Sequence, residues 1–242
     1  MLDFELKNHD EFTKILANYH ISKPAKKLLA DLKLVLILAP TSTGRSVLIR
    51  QLVKTGHYFY IVSDTTRPPQ VRDGKLEKNG HAYFFKTEEE VLSGLRAGQY
   101  LEAEIVHDQQ VSGISIRELE AAKRARKIAI TEVEHGGVDH IKAIKPDTVA
   151  ILLLPPSFEE WQSRIAGRGG LGPDEINRRL LGAAKILQAG LEHDYFEFVI
   201  AGDVSRTTKI IDNLAAGQSN PEQAHGRQLA HNLLKELAEV IH

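Results

Sequence analysis

The sequence predicts an α/β fold with a parallel sheet, and three observations support this prediction. First, short apolar runs alternate with helical patterns along the 242 residues, as in parallel sheets with right-handed crossovers. Second, a loop of small residues joins the first apolar run to the helical pattern that follows it. Third, residues 72–115 interrupt the alternation with short β-like segments and aromatic residues. We expect helices on both faces of the sheet and a smaller mixed β subdomain.

The predicted elements follow one another along the chain. The strand-like runs lie near residues 34–38, 58–62, 127–133, 148–154 and 196–201. The helical patterns lie near residues 46–54, 116–126, 136–145, 157–167, 173–191 and 204–216. Within the interrupted stretch, one helix should follow Thr87, because this residue can cap a helix and the three acidic residues after it favour a helix N-terminus.

Both ends of the chain predict helices outside this core. Residues 9–31 fit two short amphipathic helices, so residues 1–32 form a predicted N-terminal extension. Residues 221–241 carry one apolar stripe, which predicts a C-terminal helix within residues 218–242. The stripe either docks on the core or forms a dimer seam, so the sequence is compatible with a monomer or a homodimer.

Composition restricts the classes of function. The chain has no Cys, which rules out disulfides and thiolate metal sites and fits a cytoplasmic protein. Lys and Arg total 31 against 32 Asp and Glu, so we expect no basic surface for nucleic acid. No apolar run approaches the roughly 18 residues of a membrane helix, so we expect no membrane span.

The loop after the first strand resembles a phosphate-binding loop. Against the motif G-x-x-x-x-G-K-[ST], it reads Ala39-Pro40-Thr41-Ser42-Thr43-Gly44-Arg45-Ser46. Gly44 and Ser46 stand where the motif has a Gly and a hydroxyl, whereas Ala39 replaces the first Gly and Arg45 replaces the Lys. Backbone N–H groups at the start of the following helix would bind phosphate. The loop alone fits equally well an ordinary βα turn in which Ser46 caps the helix.

Three segments farther along the chain indicate a family. They read Ser63-Asp64-Thr65-Thr66-Arg67-Pro68-Pro69, Asn79-Gly80-His81-Ala82-Tyr83-Phe84-Phe85 and Gln99-Tyr100-Leu101-Glu102. They resemble the GMP-binding region of the guanylate kinase family, which reads S-x-T-T-R-x-P-R, then N/D-G-x-x-Y-x-F, then E-F-I/L-E. The resemblance continues through Leu153-Leu154-Pro155-Pro156-Ser157, Arg164-Ile165-Ala166-Gly167-Arg168-Gly169, Glu175-Ile176-Asn177-Arg178-Arg179-Leu180 and Phe198-Val199-Ile200-Ala201-Gly202-Asp203.

This resemblance implies a domain organisation. Residues 33–217 would form a guanylate kinase-like domain of the P-loop α/β type. Within it, residues 63–115 would be the GMP-binding subdomain and residues 164–180 the lid region. The N-terminal extension and the C-terminal helix lie outside the part of the chain that resembles the family.

The resemblance also implies ATP and GMP as substrates, with Mg²⁺ as the cofactor that accompanies ATP. Residues 39–46 would bind ATP, and the hydroxyl of Ser46 would ligate Mg²⁺. The catalytic residues would neutralise charge on the transferring phosphoryl group, and they are Arg45, Arg164, Arg168 and Arg179. An alternative for two of them is a charged helix face, on which Arg164 and Arg168 form ion pairs with Glu159 or Glu160.

The implied GMP site supplies the chemistry that GMP needs. Its residues are Ser63, Arg67, Arg72, Tyr83, Glu102 and Glu134. A hydroxyl, a guanidinium and a phenol suit a phosphate group. The carboxylate of Glu102 can accept from both N1–H and N2–H₂ of guanine, whereas adenine has no donor at N1 and would leave the carboxylate unpaired. Taken singly, Arg67 could also be a surface turn residue and Glu102 a solvated strand end.

Several positions of the family pattern are changed in this chain. Gln70 replaces the second phosphate-binding Arg, and residues 111–115 replace the family's Y-Y-G-T/S. Together with Ala39 and Arg45, these changes indicate a slow guanylate kinase. The alternative is a catalytically weak or inactive module that binds nucleotide, or binds a protein partner in the GMP cleft. A kinase with another acceptor is a third possibility.

Overall fold

The computed structural model describes residues 5–72, 74–106, 108–167 and 172–241. The chain divides into two compact units. The first unit consists of Met1–Lys33, Phe59–Ala129 and Asp139–Pro146. The second unit consists of Leu34–Tyr58, Ile130–Val138 and Asp147–His242.

Helices and strands alternate over most of the described residues. The strands are β1 (Leu34–Leu38), β2 (Tyr58–Tyr60), β3 (Asp64–Thr65), β4 (Val71–Arg72), β5 (Lys75–Leu76), β6 (Phe84–Phe85), β7 (Tyr100–Val106), β8 (Gln110–Ser115), β9 (Ile128–Glu132), β10 (Val149–Leu154) and β11 (Phe196–Ile200). The helices are α1 (His9–Leu16), α2 (Lys23–Ala30), α3 (Arg45–Lys54), α4 (Glu88–Arg96), α5 (Ile116–Arg124), α6 (His135–Ile144), α7 (Phe158–Ala166), α8 (Pro173–Glu192), α9 (Val204–Ala215) and α10 (Gln223–Val240). None of these helices, as far as the structure describes them, is both long and apolar enough to cross a membrane.

The predicted parallel sheet is present. Its five strands stand in the order β11-β10-β1-β9-β2. β1 pairs in parallel with β10, and β10 pairs in parallel with β11. All five residues of β1 are buried, which explains why this strand reads as an unbroken apolar run rather than as an alternating one. The predicted α/β fold class is therefore confirmed.

The smaller mixed sheet belongs to the first unit. Its four strands stand in the order β6-β3-β8-β7, and β3 pairs in parallel with β6 but antiparallel with β8. β4 and β5 form a separate short hairpin. The predicted cap of α4 is confirmed: the Thr87 hydroxyl accepts from the Glu90 N–H at 3.1 Å, and the Glu90 carboxylate accepts from the Thr87 N–H at 2.8 Å.

The two predicted N-terminal helices are present, and they pack within the first unit. Tyr19 follows α1 and reaches β7, where its hydroxyl donates to the Tyr100 carbonyl at 2.6 Å and accepts from the Tyr100 N–H at 2.9 Å. The pairing of β7 with β8 shifts register just after Tyr100. The Tyr19 hydroxyl thus serves both backbone groups at the irregularity. At the start of α4, the Glu88 carboxylate accepts from the Asn8 N–H at 2.8 Å.

The C-terminal helix docks within the second unit, where α10 packs against α8 and β11. Its buried face consists of Gly226, Ala230, Leu233 and Leu237. At its start, Gln223 accepts from the Phe198 N–H at 2.8 Å and donates to the Phe196 carbonyl at 2.7 Å. Of the two arrangements that the apolar stripe allowed, the structure shows docking on the core.

Candidate active site

The loop of residues 39–46 joins β1 to α3 in the second unit, and its backbone is tightly folded. Gly44, the N-cap of α3, has a φ of 102°, in the left-handed region that favours glycine. Ser42 also has a positive φ, of 63°. The Thr43 hydroxyl donates to the Pro40 carbonyl at 2.7 Å. The first N–H groups of α3 have no intrahelical acceptor, so the loop ends at a place suited to an anion.

One polar atom of this loop is not satisfied by the protein. Ser42 Oγ is buried and has no hydrogen-bond partner within the described part of the chain. A buried hydroxyl without a partner costs about 1–3 kcal/mol, and an oxygen of a bound phosphate would supply the missing acceptor. Ser46, in contrast, is exposed on the first turn of α3. Both hydroxyls therefore fit a ligand that carries several oxygens.

Two of the predicted catalytic arginines contact the loop. Arg164 on α7 donates from Nη1 to the Thr43 carbonyl at 2.9 Å. Arg179 on α8 lies with its Nη1 3.4 Å from the hydroxyl of Thr41. Trp161, which is fully buried one turn before Arg164, donates from Nε1 to the Thr41 carbonyl at 2.7 Å. α7 and α8 thus bring two positive charges to the loop, and the buried indole anchors α7 there.

Each predicted catalytic arginine that the structure describes forms an ion pair with a glutamate. The pairs are Arg45–Glu132 at 2.5 Å, Arg164–Glu160 at 2.6 Å and Arg179–Glu175 at 2.7 Å. In the second pair both residues lie on α7, and in the third pair both lie on α8, in each case on neighbouring turns. The first pair joins α3 to the end of β9. The ion pair expected as an alternative role for Arg164 is therefore present, but Arg164 contacts the loop as well. These carboxylates offset part of the positive charge and restrain the guanidinium groups.

An open cleft of about 340 Å³ adjoins the loop. Its lining includes Leu48 and two valines from the starts of helices, Val47 on α3 and Val204 on α9. Val47 is 49% exposed and Val204 is 36% exposed, although most valine side chains of folded proteins are buried. Exposed apolar walls beside polar loop atoms suit a flat ring system attached to a charged group.

In the first unit, Arg67 is buried, so the alternative of a surface turn residue is wrong. Its side chain is 7% exposed, and that of its partner Glu77 is 6% exposed. The Glu77 carboxylate accepts from Arg67 Nη1 at 2.6 Å and from Nη2 at 3.0 Å. The rings of Tyr83 and Phe85 lie 4.8 Å and 5.6 Å from the guanidinium carbon. The bidentate pair and the two rings fix the plane of the guanidinium group.

The other predicted GMP-binding residues are divided between the two units. Ser63 precedes β3 and Glu102 lies in β7, and both are half-buried in the first unit. Glu134 is exposed just before α6 and belongs to the second unit. Arg168 lies outside the described residues, and so does the side chain of Arg72. The roles of these residues stay predictions.

The sequence reading missed Glu77 and Glu132 as partners of site arginines. Glu160 and Glu175 stand four residues before their arginines, a spacing that predicts a helical ion pair. Glu132 and Arg45, in contrast, lie in different elements and meet because β9 neighbours β1 in the sheet. Glu77 follows the β4–β5 hairpin, and no local pattern indicates that the hairpin returns this residue to Arg67.

A second buried cluster in the first unit was also missed. Asp64 is 3% exposed and accepts from the Tyr100 hydroxyl at 2.9 Å and from Arg117 Nη2 at 2.8 Å. Burial raises the pKa of Tyr100, and the charge of Asp64 raises it further. Arg117 also lies over the Phe84 ring at 4.2 Å. The cluster ties β3, β7 and α5 together, and its charges are satisfied within the protein.

Comparison with known proteins agrees with this geometry. The sequence profile of the family described as guanylate kinase matches residues 31–215. A guanylate kinase of Corynebacterium diphtheriae is 34% identical over 188 residues, which cover 77% of this chain and 95% of that protein. One of Nostoc sp. is 34% identical over 164 residues, which cover 67% and 79%. The crystal structure of guanylate kinase from Anaplasma phagocytophilum matches with a TM-score of 0.56 and 25% identity, covering 83% of this chain and 94% of that one.

Proposed function

This chain belongs to the guanylate kinase family, and we propose that it transfers the γ-phosphoryl group of ATP to GMP, which yields ADP and GDP. The observation that carries the proposal is the loop of residues 39–46 with Arg164 and Arg179 bonded to it. Phosphoryl transfer depends mainly on positioning and on positive charge around the phosphate oxygens. The replacements at Ala39 and Arg45 lead us to expect a slow enzyme.

On the donor side, the phosphates of ATP would lie in the loop of residues 39–46. The N–H groups at the start of α3 and the hydroxyl of Ser42 would donate to phosphate oxygens. The adenosine would occupy the adjoining cleft, with the flat face of its adenine ring against Val47 and Val204. The buried and unpartnered Ser42 Oγ is the feature that supports this placement most directly.

We assign the stabilisation of the transferring group to arginines. Arg45, Arg164 and Arg179 would neutralise the charge that spreads over the oxygens of the γ-phosphoryl group. Arg168 is assigned by the family resemblance alone. Arg45 carries a planar guanidinium where the motif has the compact ammonium of Lys, so it keeps the charge but occupies more space.

Ser46 would hold the Mg²⁺ that accompanies ATP. Its exposed hydroxyl is a hard oxygen donor of the kind that Mg²⁺ prefers. No group of three or more His, Cys, Asp or Glu side chains in the described residues could hold a metal ion. We therefore assign Ser46 as a ligand of the ion without a cluster of acidic or His side chains around it. When bound, the ion would supply positive charge that offsets part of the negative charge of the phosphates.

On the acceptor side, Ser63, Arg67 and Tyr83 would bind the phosphate of GMP. Glu77 occupies the end of the Arg67 guanidinium formed by Nη1 and Nη2, so we assign the edge formed by Nε and Nη2 to the phosphate. Glu102 would accept from guanine, and it would reject adenine because its carboxylate would face a lone pair. Arg72 and Glu134 are further candidates by resemblance.

A coupled assay of ADP release, with ATP, Mg²⁺ and GMP, tests the proposed function. We expect GMP-dependent release, and little release when AMP replaces GMP. Arg164→Ala should lower kcat about 100-fold, because it removes a charge that acts on the transition state. Arg124→Ala, on the exposed face of α5, is the matched control and should leave kcat unchanged.

Two results would contradict the proposal. A protein that binds both nucleotides but releases no ADP would be a binding module. This is the alternative function, and it is favoured by Arg45, which stands where the motif has a Lys. A protein that releases ADP equally with GMP and AMP would be a kinase with a different acceptor preference.

A further inference from the structure

The ion pair between Arg45 and Glu132 joins the first residue of α3 to the last residue of β9. Nε of Arg45 lies 2.5 Å from Oε2 of Glu132. This contact uses the side of the guanidinium group. Within the part of the chain that the structure describes, Nη1 and Nη2 at its far end donate no hydrogen bond. The pair is about one-third exposed, so a ligand can reach it from solvent.

The sheet fixes Glu132 beside the loop. β9 neighbours β1 in the strand order, and the Val133 N–H, just after β9, lies 3.4 Å from the Ile37 carbonyl. The carboxyl ends of neighbouring parallel strands meet at one edge of a sheet, which is where ligands of such folds bind. The carboxylate of Glu132 thus stands at the end of a sheet strand, and Arg45 extends to it from the start of α3.

We propose that Glu132 is a positioning residue that holds Arg45 by Nε, so that Nη1 and Nη2 face the phosphates of ATP. The inference rests on the proposed function in assigning Arg45 to ATP. A Lys would have to use one nitrogen for both the carboxylate and the phosphate, whereas the longer fork of Arg separates the two contacts. In this arrangement Glu132 at the end of β9 requires an Arg rather than a Lys at position 45, because only Arg can contact the carboxylate and the phosphates through different nitrogens.

The opposite role makes the opposite prediction about affinity. If Glu132 only competes with phosphate for Arg45, its removal should tighten the binding of a polyanion, because a negative charge leaves the site. If Glu132 positions Arg45, its removal should weaken binding in spite of that lost charge. The sign of the change therefore separates the two roles.

The test measures binding of the β,γ-imido analogue of ATP, with Mg²⁺, by calorimetry. Glu132→Gln keeps the shape of the side chain and removes its charge. We expect its dissociation constant to rise about three- to tenfold, as for the loss of one hydrogen bond of ordinary strength. In the Arg45→Ala background the same substitution should cause no weakening, because the residue on which Glu132 acts is gone.

Glu120→Gln provides the matched control. It removes the carboxylate of another arginine–glutamate pair, Arg124–Glu120, which is exposed on α5 in the first unit. It should leave the affinity unchanged. Thermal unfolding of each variant shows whether a loss of binding comes from a loss of folded protein.

The outcomes separate this inference from the proposed function. Tighter or unchanged binding by Glu132→Gln overturns the inference, and so does equal weakening in both backgrounds. A wild type that binds the analogue but shows no GMP-dependent ADP release overturns the proposed function and leaves the positioning role tested by affinity alone. A wild type that fails to bind the analogue overturns both.

Discussion

The pair formed by Arg67 and Glu77 is almost completely removed from solvent. Moving two charges out of water is costly, and the cost is offset only where further hydrogen bonds satisfy the remaining polar atoms. Here the Glu77 carboxylate accepts from both Nη atoms and from the Gln70 N–H at 3.0 Å, and Arg67 Nη1 also donates to the Pro68 carbonyl at 3.0 Å. At this scale, the candidate site consists of arginines whose orientation is set by carboxylates.

We predict that Glu77→Gln lowers both stability and affinity for GMP. The substitution leaves the buried charge of Arg67 without its counter-charge, which should cost about 3 kcal/mol of unfolding free energy. The guanidinium should also lose its fixed orientation, so the KM for GMP should rise more than the KM for ATP. Urea unfolding and steady-state kinetics measure these effects, with Glu120→Gln as the exposed control. A variant as stable as the wild type would contradict the account of Arg67.

A second prediction concerns Glu102 and the choice of base. Glu102→Gln replaces an acceptor by a group that also donates, so one of the two guanine contacts should be lost at a cost on the order of 2–4 kcal/mol. AMP binding serves as the internal control, since adenine does not gain from the carboxylate. Calorimetric titration of both nucleotides measures the difference. Equal affinity of the wild type for GMP and AMP would refute the role of Glu102.

At the scale of elements, helix α4 shows a start determined by local residues. Thr87 and Glu90 exchange hydrogen bonds between side chain and backbone. The hydrogen bond from the Thr87 N–H lowers the pKa of the Glu90 carboxyl, and the charge of Lys86 contributes in the same direction. Because the pKa of Glu90 is lower in the folded protein, its ionised carboxylate stabilises the fold. This contribution to stability is present above the ordinary pKa of 4.5 and is lost as the pH falls through the pKa of the folded state.

We predict that Thr87→Ala lowers the unfolding free energy by about 1 kcal/mol. The reason is the loss of the only side-chain acceptor that the described structure gives to the Glu90 N–H. Thr13→Ala is a suitable control, because its hydroxyl donates to the His9 carbonyl within α1 and caps no helix start. Chemical unfolding at pH 7 measures the two changes. Equal losses for both variants would show that the cap contributes nothing particular.

Elements with local signals were predictable from the sequence, and contacts between distant elements were not. The cap at Thr87 depends on residues three positions apart, and β1 is evident from its continuous apolar run. The pairing of Arg45 with Glu132 depends on which strand neighbours β1, and that of Arg67 with Glu77 depends on the path of a hairpin. Arg45 and Arg67 were identified by resemblance, but the carboxylates that orient them, Glu132 and Glu77, became visible only in the folded chain.

At the scale of the whole molecule, each unit contains a tyrosine whose hydroxyl donates to a carboxylate. Tyr58 donates to Asp212 at 2.7 Å in the second unit, and Tyr100 donates to Asp64 at 2.9 Å in the first. Burial raises the pKa of both phenols above their ordinary value of 10.0, and the neighbouring carboxylates raise it further. Ionisation of either phenol is therefore harder in the folded chain than in the unfolded one.

We predict a loss of stability in alkaline solution. A phenol whose pKa is raised by folding contributes fully to stability below the pKa that it has in the unfolded chain, and this contribution is lost as the pH rises. The unfolding free energy should therefore fall above about pH 10. Tyr58→Phe should reduce this slope, although it costs about 1 kcal/mol at neutral pH through the lost hydrogen bond. Unfolding measured at pH 7 and at pH 10.5 compares the two proteins. An unchanged slope in Tyr58→Phe would show that this phenol is not responsible.

The side chain of Gln223 has a consequence for the self-association of the protein through the edge of its central sheet. β11 stands at one end of the central sheet, and the Gln223 amide occupies the N–H of Phe198 and the carbonyl of Phe196. Unoccupied groups on such an outer strand are a template on which another chain can add a strand. A protein truncated after residue 217 should therefore self-associate with increasing concentration, as light scattering would detect, whereas the full chain should not. We therefore expect the last helix to protect the edge of the sheet from aggregation.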